Sequence, residues 1–516
     1  MSTSVQERAP AVATGRRTRA RRPWWDAPAI ALLAVTVSAA GAARPSFWFD
    51  EAATISAGTR TLPELWRMVH NIDAVHGLYY LLMHGWFAVF PATEFLSRLS
   101  SALAAGAAAA GVVVLGKQTS TRAVAVTAGL VFALLPRVTW AGMETRSYAL
   151  CMAAAVWLTV FCVRAARRGR WWHWPVYSVL LAAAVLLNVF LVLIVPAHAV
   201  AVTAFGLRTA RFRALRCWTP AAAVAVAATA PFLLFSQSQL FQVQWIAHLG
   251  AGTAGEILQE QYFDQSLPAA VAGGLIIAGG VLCGLGSVTR RLGAFLALTL
   301  TWILAPTAAL LLYSVLRHPI YYPRYLSFTV PAFALLLGMC VVALGWSRAG
   351  IAAVVVVFAA ASLPTYLFQR GPYAKAYMDY SAVADVIDRN AAPGDCLILD
   401  NSTRWSPGPI RPITAARPAV YGKLRDYGRG RTAVQRDRLW DGHIAVWAWA
   451  DQMPGCPAIW TVTERDPAVP EHQRGPALPP GPRLARAMAY QVPSRFGFHV
   501  VERWQFSFAQ VTKSTR

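Results

Sequence analysis

The chain has 516 residues, of which 56% are hydrophobic and only 14% are charged, and its mean hydropathy is +0.43. Soluble globular proteins carry about 25% charged residues, so this composition excludes a soluble enzyme, and also a disordered or collagen-like chain. The 47 lysines and arginines exceed the 24 acidic residues, which gives a net charge of +23. In a membrane protein such an excess collects in cytoplasmic loops, so the composition predicts a multi-pass plasma-membrane protein.

The N-terminal arm, residues 1–22, is polar and contains the arginine cluster Arg16–Arg22, and the apolar run Ala27–Ala43 follows it. No small-residue cleavage site separates that run from Arg44, so it predicts an uncleaved first span rather than a signal peptide. Basic residues before a first span favour a cytoplasmic N-terminus. Nucleic-acid binding is the alternative use of the cluster, but membrane orientation already explains it, and we expect no nucleic-acid partner.

Ten further apolar runs are long enough to predict spans, which gives about eleven in a mostly α-helical bundle. They are Leu99–Gly116, Ala123–Pro136, Ser147–Val163, Pro175–Leu187, Val189–Gly206, Pro220–Phe235, Pro268–Ser287, Leu292–Val315, Tyr325–Gly345 and Ile351–Phe368. The basic connectors then face the cytoplasm, and all nine acidic residues between the first and the last span fall outside it. We therefore expect residues 23–368 to form a transmembrane catalytic domain.

The segment His76–Phe90 is ambiguous, because it is apolar but short and rich in Tyr, Trp and His. If it crossed the membrane, every later basic connector would change sides. Its length and aromatic content favour an interfacial or re-entrant helix.

The chain after Phe368 has the composition of a soluble domain. The predicted elements are a helix over Ser381–Asn390 and strands over Cys396–Asp400, Ala458–Thr463 and Phe498–Phe508. An odd number of spans places residues 369–516 outside the cytoplasm, as an extracytoplasmic α/β domain.

Two groups of carboxylates could carry chemistry. Asp50 and Glu51 are adjacent, directly after the first span, where desolvation can raise a pKa and produce a general base. The alternative is a solvated loop start. Glu144 lies in the short loop after the third span, where it either faces that pair as a second carboxylate or forms an interfacial ion pair with Arg146.

A basic and aromatic loop precedes the tenth span, and it contains Arg317, His318, Tyr322 and Arg324. Arginine on the outer side runs against the orientation rule, so it indicates a partner such as phosphate, unless it extends to lipid headgroups. The sequence contains no phosphate-binding glycine loop and no HExxH motif, so it assigns no metal ligands and leaves a divalent cation open.

Several short motifs, in their order, resemble the GT-C glycosyltransferases, most closely the protein O-mannosyltransferase and aminoarabinose-transferase-like branch. They are Phe47–Ala52 (FWFDEA), His76–Leu82 (HGLYYLL), Ser97–Leu103 (SRLSSAL), Arg146–Leu150 (RSYAL) and Pro323–Leu326 (PRYL). This chain departs from the family in having Gly77-Leu78 after His76, where the family often has two prolines. It also has Ala52 where a basic residue often follows the Asp-Glu pair.

The resemblance implies transfer of a sugar from a polyprenyl-phosphate donor to an acceptor on the extracytoplasmic side. The Ala-, Arg- and Val-rich composition indicates a high-GC genome, and from it we expect mannose or arabinose as the sugar and a glycan, lipid or protein of the cell envelope as the acceptor. The resemblance also implies that Asp50 is the base, supported by Glu51, and that His76 contacts the donor phosphate. Arg324, with His76, Arg317 or His318, would stabilise the departing phosphate, while Arg146, Tyr148 and Tyr322 would contact substrate. One base without a second nucleophile predicts inversion at the anomeric carbon.

Two other functions compete with this one. A transporter or flippase of a lipid-linked glycan would place ionisable residues along a path inside the spans, whereas here the carboxylates avoid them. A non-catalytic scaffold would use the C-terminal domain to bind envelope-assembly partners.

Cys396 and Cys456 are the only cysteines in the C-terminal domain, and each follows a Pro-Gly turn at the start of a predicted strand. An oxidising compartment favours a disulfide, and neighbouring strands could bring the two within bonding distance. Two separate buried thiols are the alternative.

Overall fold

The computed structural model describes residues 24–209, 212–284, 288–344, 347–401 and 410–516. The predicted cytoplasmic arm, residues 1–22, lies outside these ranges. Up to Phe368 the chain forms helices α1 Asp26–Ala39, α2 Phe49–Gly58, α3 Leu62–Asn71, α4 Gly77–Phe87, α5 Glu94–Thr119, α6 Arg122–Leu134, α7 Pro136–Ala141, α8 Tyr148–Arg168, α9 His173–Leu187, α10 Val195–Thr209, α11 Arg213–Gln237, α12 Thr253–Gly255, α13 Gln261–Phe263, α14 Leu267–Gly284, α15 Val288–Leu316, α16 Val330–Ala343 and α17 Arg348–Phe368. Tighter 3₁₀ turns cover Ala74–His76, Val189–Ile194, Leu240–Val243 and Pro323–Thr329.

The helices confirm a mostly α-helical membrane bundle. Among the described residues, seven helices are long and apolar enough to cross a bilayer, and the pair Thr253–Phe263 and Leu267–Cys283, bent by 89°, would count as an eighth. Three predicted spans are shorter apolar helices of 13 to 15 residues, namely α1, α6 and α9. Each predicted span therefore coincides with a helix, but these three are shorter than the roughly 20 residues of a straight span.

Helix α4 occupies the ambiguous segment and is too short to cross a membrane. Its 11 residues extend about 16 Å at 1.5 Å per residue, whereas the hydrocarbon core is about 30 Å thick. It packs against α2, α3 and α9. The length therefore agrees with the interpretation of a helix that does not span.

The C-terminal part is an α/β domain with one five-stranded sheet in the order β1-β2-β5-β4-β3. Among the described strands, β1 and β2 pair in parallel, and the other neighbours pair antiparallel. The elements are β1 Cys396–Leu399, β2 Ile459–Glu464, β3 His472–Arg474, β4 His499–Gln505 and β5 Ala509–Thr515, with helices α18 Tyr380–Asn390, α19 Pro412–Ala416, α20 Pro418–Tyr421 and α21 Met488–Arg495.

The predicted strand Phe498–Phe508 is confirmed as β4 over His499–Gln505, but its last residues, 506–508, form the turn of the hairpin between β4 and β5. The Phe506 amide donates to the Ala509 carbonyl at 2.9 Å, which closes the turn. The turn contains neither Gly nor Asn, the residues that usually mark a tight hairpin, so no residue pattern predicted it. Asp379, just before α18, accepts the amides of Phe508 and Ala509 at 2.7 and 2.8 Å.

Helix α2 lies between the bundle and the C-terminal domain. Phe47, Trp48, Ala52 and Ile55 belong to the same buried apolar cluster as residues of α18 and the sheet. Opposite them, α2 packs against α4 of the bundle. Both parts of the chain therefore fix the helix that carries the adjacent carboxylates.

Candidate active site

A cavity of about 380 Å³ opens beside the N-terminus of α2. Its walls come from α2, the start of α8 with the loop before it, the four 3₁₀ turns with residues beside them, and the C-terminal domain. Most of the wall is apolar, and a few polar side chains converge in it, which is the usual build of a small-molecule site. The lining includes Phe49, Asp50, Asp73, His76, Arg146, Tyr148, Trp245, Arg324, Tyr325, Leu439 and Trp440.

Asp50 faces this cavity because of its position in the first turn of α2. Trp48 precedes the helix in an extended conformation, with φ −137°, and the helix begins at Phe49. Successive residues of an α-helix point about 100° apart, so the adjacent Glu51 faces the bundle interior instead. The neighbouring carboxylates of the sequence motif therefore occupy different surroundings.

Asp50 forms an ion pair with Arg324, whose Nη2 lies 3.3 Å from its Oδ2. Both side chains are about six-sevenths buried, with 15% and 14% exposed. Oδ2 is itself enclosed and, among the described residues, has this ion pair but no hydrogen bond of good geometry, so the carboxylate keeps a lone pair that no donor fills.

The Arg324 guanidinium sits among aromatic rings, at 4.9 Å from the centre of Tyr322, 5.5 Å from Trp48 and 6.0 Å from Tyr148. Such rings stabilise a cation through their negative faces while excluding water. Tyr322 does not line the cavity itself but packs on residues that do, Trp245 and Tyr325. The site therefore holds a desolvated positive charge beside a carboxylate.

A second basic group of the cavity consists of Arg146 and His76. The Arg146 guanidinium lies 3.0 Å from both His76 Nε2 and the Tyr80 hydroxyl, and that hydroxyl donates to Asp73 at 2.5 Å. Arginine can only donate, so Nε2 accepts and the imidazole proton is on Nδ1. Burial, together with the positive charge of Arg146, lowers the pKa of His76 well below its usual value. His76 is therefore a neutral donor, and its Nδ1 has no partner among the described residues.

Glu51 lies outside the cavity, fully enclosed against Arg98 of α5. Arg98 donates to its two carboxylate oxygens at 2.8 and 2.5 Å, and the Thr145 amide donates at 3.0 Å. Burial opposes ionisation, but the charge and hydrogen bonds of Arg98 hold the pKa of Glu51 below its usual value. Glu51 can support Asp50 only by fixing α2.

Glu144 neither faces Asp50 as a second carboxylate nor forms the alternative ion pair with Arg146. It is completely buried, forms an ion pair with Lys375 of the C-terminal part, and accepts the Trp48 indole N–H at 2.6 Å. Burial raises the pKa of Glu144 to about 7, although Lys375 opposes the shift. Because Trp48 is one wall around Arg324, Glu144 acts on the site through that ring.

The other predicted residues are divided. Tyr148 and Arg146 line the cavity, whereas Arg317 is exposed and His318 is partly exposed, and neither lines it. Cys396 and Cys456 form a disulfide with a Cα–Cα distance of 5.6 Å. Cys396 is the first residue of β1, and Cys456 lies three residues before the parallel strand β2.

Several lining residues were missed from the sequence, notably Asp73, Trp245 and Trp440. Asp73 adopts a left-handed conformation, φ 63°, that no motif marked. A tryptophan within the polar segment Arg438–His443 was the available signal for Trp440. Within the described part of the chain, no three His, Cys, Asp or Glu side chains group as metal ligands, so we assign no metal.

Comparison with known proteins identifies the fold. No protein-family model matches the sequence, and no curated protein does. ArnT from Cupriavidus metallidurans bound to undecaprenyl phosphate is similar in structure, with TM-score 0.56 and 12% identity, over 94% of this chain and 97% of ArnT. Its apo state gives TM-score 0.55 and 14% identity over the same shares.

A second match is the oligosaccharyltransferase AglB from Archaeoglobus fulgidus in complex with an inhibitory peptide and a dolichol-phosphate. The match covers 85% of this chain and 69% of AglB. Its identity is 12% and its TM-score is 0.43, which is too low to establish a common fold. ArnT matches over nearly the full length of both chains, so the predicted resemblance is confirmed at the level of the fold: this protein is a multi-pass membrane protein with the GT-C fold of ArnT.

Proposed function

We propose that this protein is a glycosyltransferase that moves a sugar from a polyprenyl-phosphate donor to an acceptor hydroxyl on the extracytoplasmic side, with Asp50 as the general base. The observation that carries the proposal is the buried carboxylate of Asp50, paired with Arg324, at a cavity that Arg146 and neutral His76 also line. A base and phosphate-binding donors thus share one water-poor space, as a single displacement requires.

The donor class follows from the chemistry of the wall. Arg324 and Arg146 supply charge-assisted donors for phosphate oxygens, and the largely apolar remainder suits a polyisoprenyl chain. ArnT, which has the same fold, was crystallised with undecaprenyl phosphate, a lipid of this class. Mannose or arabinose is the sugar that we propose, with an envelope glycan, lipid or protein as acceptor.

In the reaction, Asp50 takes the proton of the acceptor hydroxyl as its oxygen bonds to the anomeric carbon. The bond from that carbon to the phosphate oxygen breaks, and polyprenyl phosphate leaves with the electron pair. As the phosphate leaves, the Arg324 guanidinium must bind the phosphate oxygens, and its ion pair with Asp50 weakens. Attack from the face opposite the phosphate inverts the anomeric centre.

The test uses membranes containing the wild type or Asp50→Asn, with radiolabelled polyprenyl-phosphomannose and polyprenyl-phosphoarabinose as donors. Loss of a general base should reduce transfer by about 10²–10⁴-fold. Asp388→Asn, an exposed carboxylate outside the cavity, is the matched control and should transfer normally. Near-normal transfer by Asp50→Asn, in protein that still binds undecaprenyl phosphate, would refute the role of the base.

A further inference from the structure

A second cavity, of about 450 Å³, lies between α2 and α3 on one side and the C-terminal domain on the other. The reaction proposed above does not use it. Leu439 and Trp440 line both cavities, so the loop that carries them is the wall between the two. Trp440 packs on Phe49 with ring centres 5.2 Å apart, and Phe49 directly precedes Asp50.

The loop holding this wall is fixed to the bundle by specific bonds. The Ser56 hydroxyl donates to the Leu439 carbonyl at 2.7 Å, and Arg438 donates to the Asn71 carbonyl at 2.9 Å. Arg67 forms an ion pair with Asp437 at 3.2 Å. The second cavity is therefore a built part of the fold rather than a gap beside a loosely placed loop.

The charged side chains of this second cavity are balanced. Arg411 pairs with Asp426, and Arg429 pairs with Asp441 at 2.6 Å. Among the residues that the structure describes, the charged lining has three basic and three acidic members, which are Arg60, Arg411, Arg429, Glu64, Asp426 and Asp441. A wall without net charge gives no advantage to an anionic ligand, and it favours a neutral one that can form many hydrogen bonds.

Two polar groups of the lining still lack partners. Among the described residues, neither Nη1 of Arg60 nor the hydroxyl of Tyr421 has a hydrogen-bond partner, although both side chains are only 5% exposed. Buried donors of this kind cost free energy until a ligand satisfies them. Thr59, Thr414 and the indole of Trp440 add hydroxyls and a flat apolar face to the same wall.

We propose that the second cavity binds a neutral saccharide, which is the acceptor of the transfer, and that its attacking hydroxyl extends around the edge of the Trp440 indole, which borders both cavities, to reach Asp50. This inference rests on the proposed function and adds the substrate class to it. Ring hydroxyls would satisfy Arg60 and Tyr421, and the C–H face of the sugar would lie on the indole. The balanced charges distinguish this acceptor from a phosphorylated or otherwise anionic one.

The test measures binding rather than transfer, by saturation-transfer NMR on the full-length protein in nanodiscs. The probes are mannotriose, which is neutral, and mannose 6-phosphate, which is anionic; binding of undecaprenyl phosphate is measured separately. Tyr421→Phe removes one hydroxyl and should weaken mannotriose about two- to tenfold, as expected for one hydrogen bond. Tyr427→Phe removes a hydroxyl outside the cavity and is the matched control.

Ala433→Trp gives a second variant, because it places an indole inside the cavity and should abolish mannotriose binding without changing undecaprenyl phosphate binding. A wild type that binds undecaprenyl phosphate but no mannotriose overturns the inference and leaves the proposed function standing. Tighter binding of mannose 6-phosphate, or mannotriose binding that neither variant weakens, overturns it as well. A further outcome is that both variants weaken mannotriose binding while the protein does not bind undecaprenyl phosphate. That result supports the saccharide site and refutes the proposed function.

Discussion

Replacing Arg98 by Met should be among the most destabilising single changes in the bundle, because it breaks a completely buried ion pair. Arg98 and Glu51 are both 0% exposed. Arg98 also donates to the carbonyls of Ala42, Pro45 and Ser46, at 2.7, 2.7 and 3.1 Å, which fixes the turn that leads into α2. The substitution leaves Glu51 with the Thr145 amide as its one remaining donor among the described residues.

The magnitude follows from that environment. Removing one partner of a buried pair costs about 3–5 kcal/mol, because the other charge stays desolvated. At roughly 2 °C per kcal/mol for a large protein, the midpoint of thermal unfolding should fall by about 6–10 °C. The measurement is tryptophan fluorescence during heating in detergent. Arg67→Met, which breaks an ion pair whose arginine is 51% exposed, is the control and should change the midpoint little.

The double variant Arg98→Met, Glu51→Met tests the cause. If the unpaired charge dominates, removing it restores part of the midpoint, and the double variant is more stable than Arg98→Met alone. A single variant as stable as the wild type would refute the reasoning. So would a double variant less stable than the single one, since the lost backbone bonds would then account for the cost.

Three further predictions concern the cavity and the C-terminal domain. Arg324→Ala should raise the donor KM at least 30-fold, because losing a desolvated ion pair with phosphate costs about 2–5 kcal/mol of binding free energy. Arg317→Ala should change the donor KM far less. Equal effects of the two substitutions in a transfer assay would contradict this. Mass spectrometry of alkylated native protein should find no free thiol at Cys396 or Cys456, and loss of this 60-residue link should cost the domain about 4 kcal/mol. His76 is neutral in the folded protein but protonates below about pH 6.5 in the unfolded chain, so below that pH it lowers the free energy of unfolding by about 1.4 kcal/mol for each pH unit. His76→Gln should therefore flatten the acid side of the profile of unfolding midpoint against pH. Parallel profiles of the variant and the wild type would contradict the assignment.

The helices and one side of the cavity could be predicted from the sequence because they depend on local patterns. Apolar runs mark the helices, and short motifs marked Asp50, His76, Arg146 and Arg324, which the fold brings to one cavity. Each candidate was recognised from its own neighbours in the chain. The roles of these residues in catalysis stay predictions until the variants are assayed.

The partners of the charged residues could not be predicted, because they come from distant segments. Arg98 lies 47 positions from Glu51, and Lys375 lies 231 positions from Glu144. Sequence spacing alone therefore could not show that Glu51 and Glu144 are withdrawn from the cavity while Asp50 remains in it. For the same reason Trp440, in a polar loop of another domain, carried no sign of its place beside Phe49.

These long-range contacts also explain why the C-terminal domain, which carried few motifs, is central to the site. Lys375 holds Glu144, Glu144 orients the Trp48 indole, and that ring is one wall around Arg324. The same domain also places Trp440 against Phe49, the first residue of α2. The two contacts hold Trp48 and Phe49, the two residues directly before Asp50. The geometry of the candidate site is therefore a joint property of bundle and domain, and a change at their interface should alter the site without touching a residue that lines it.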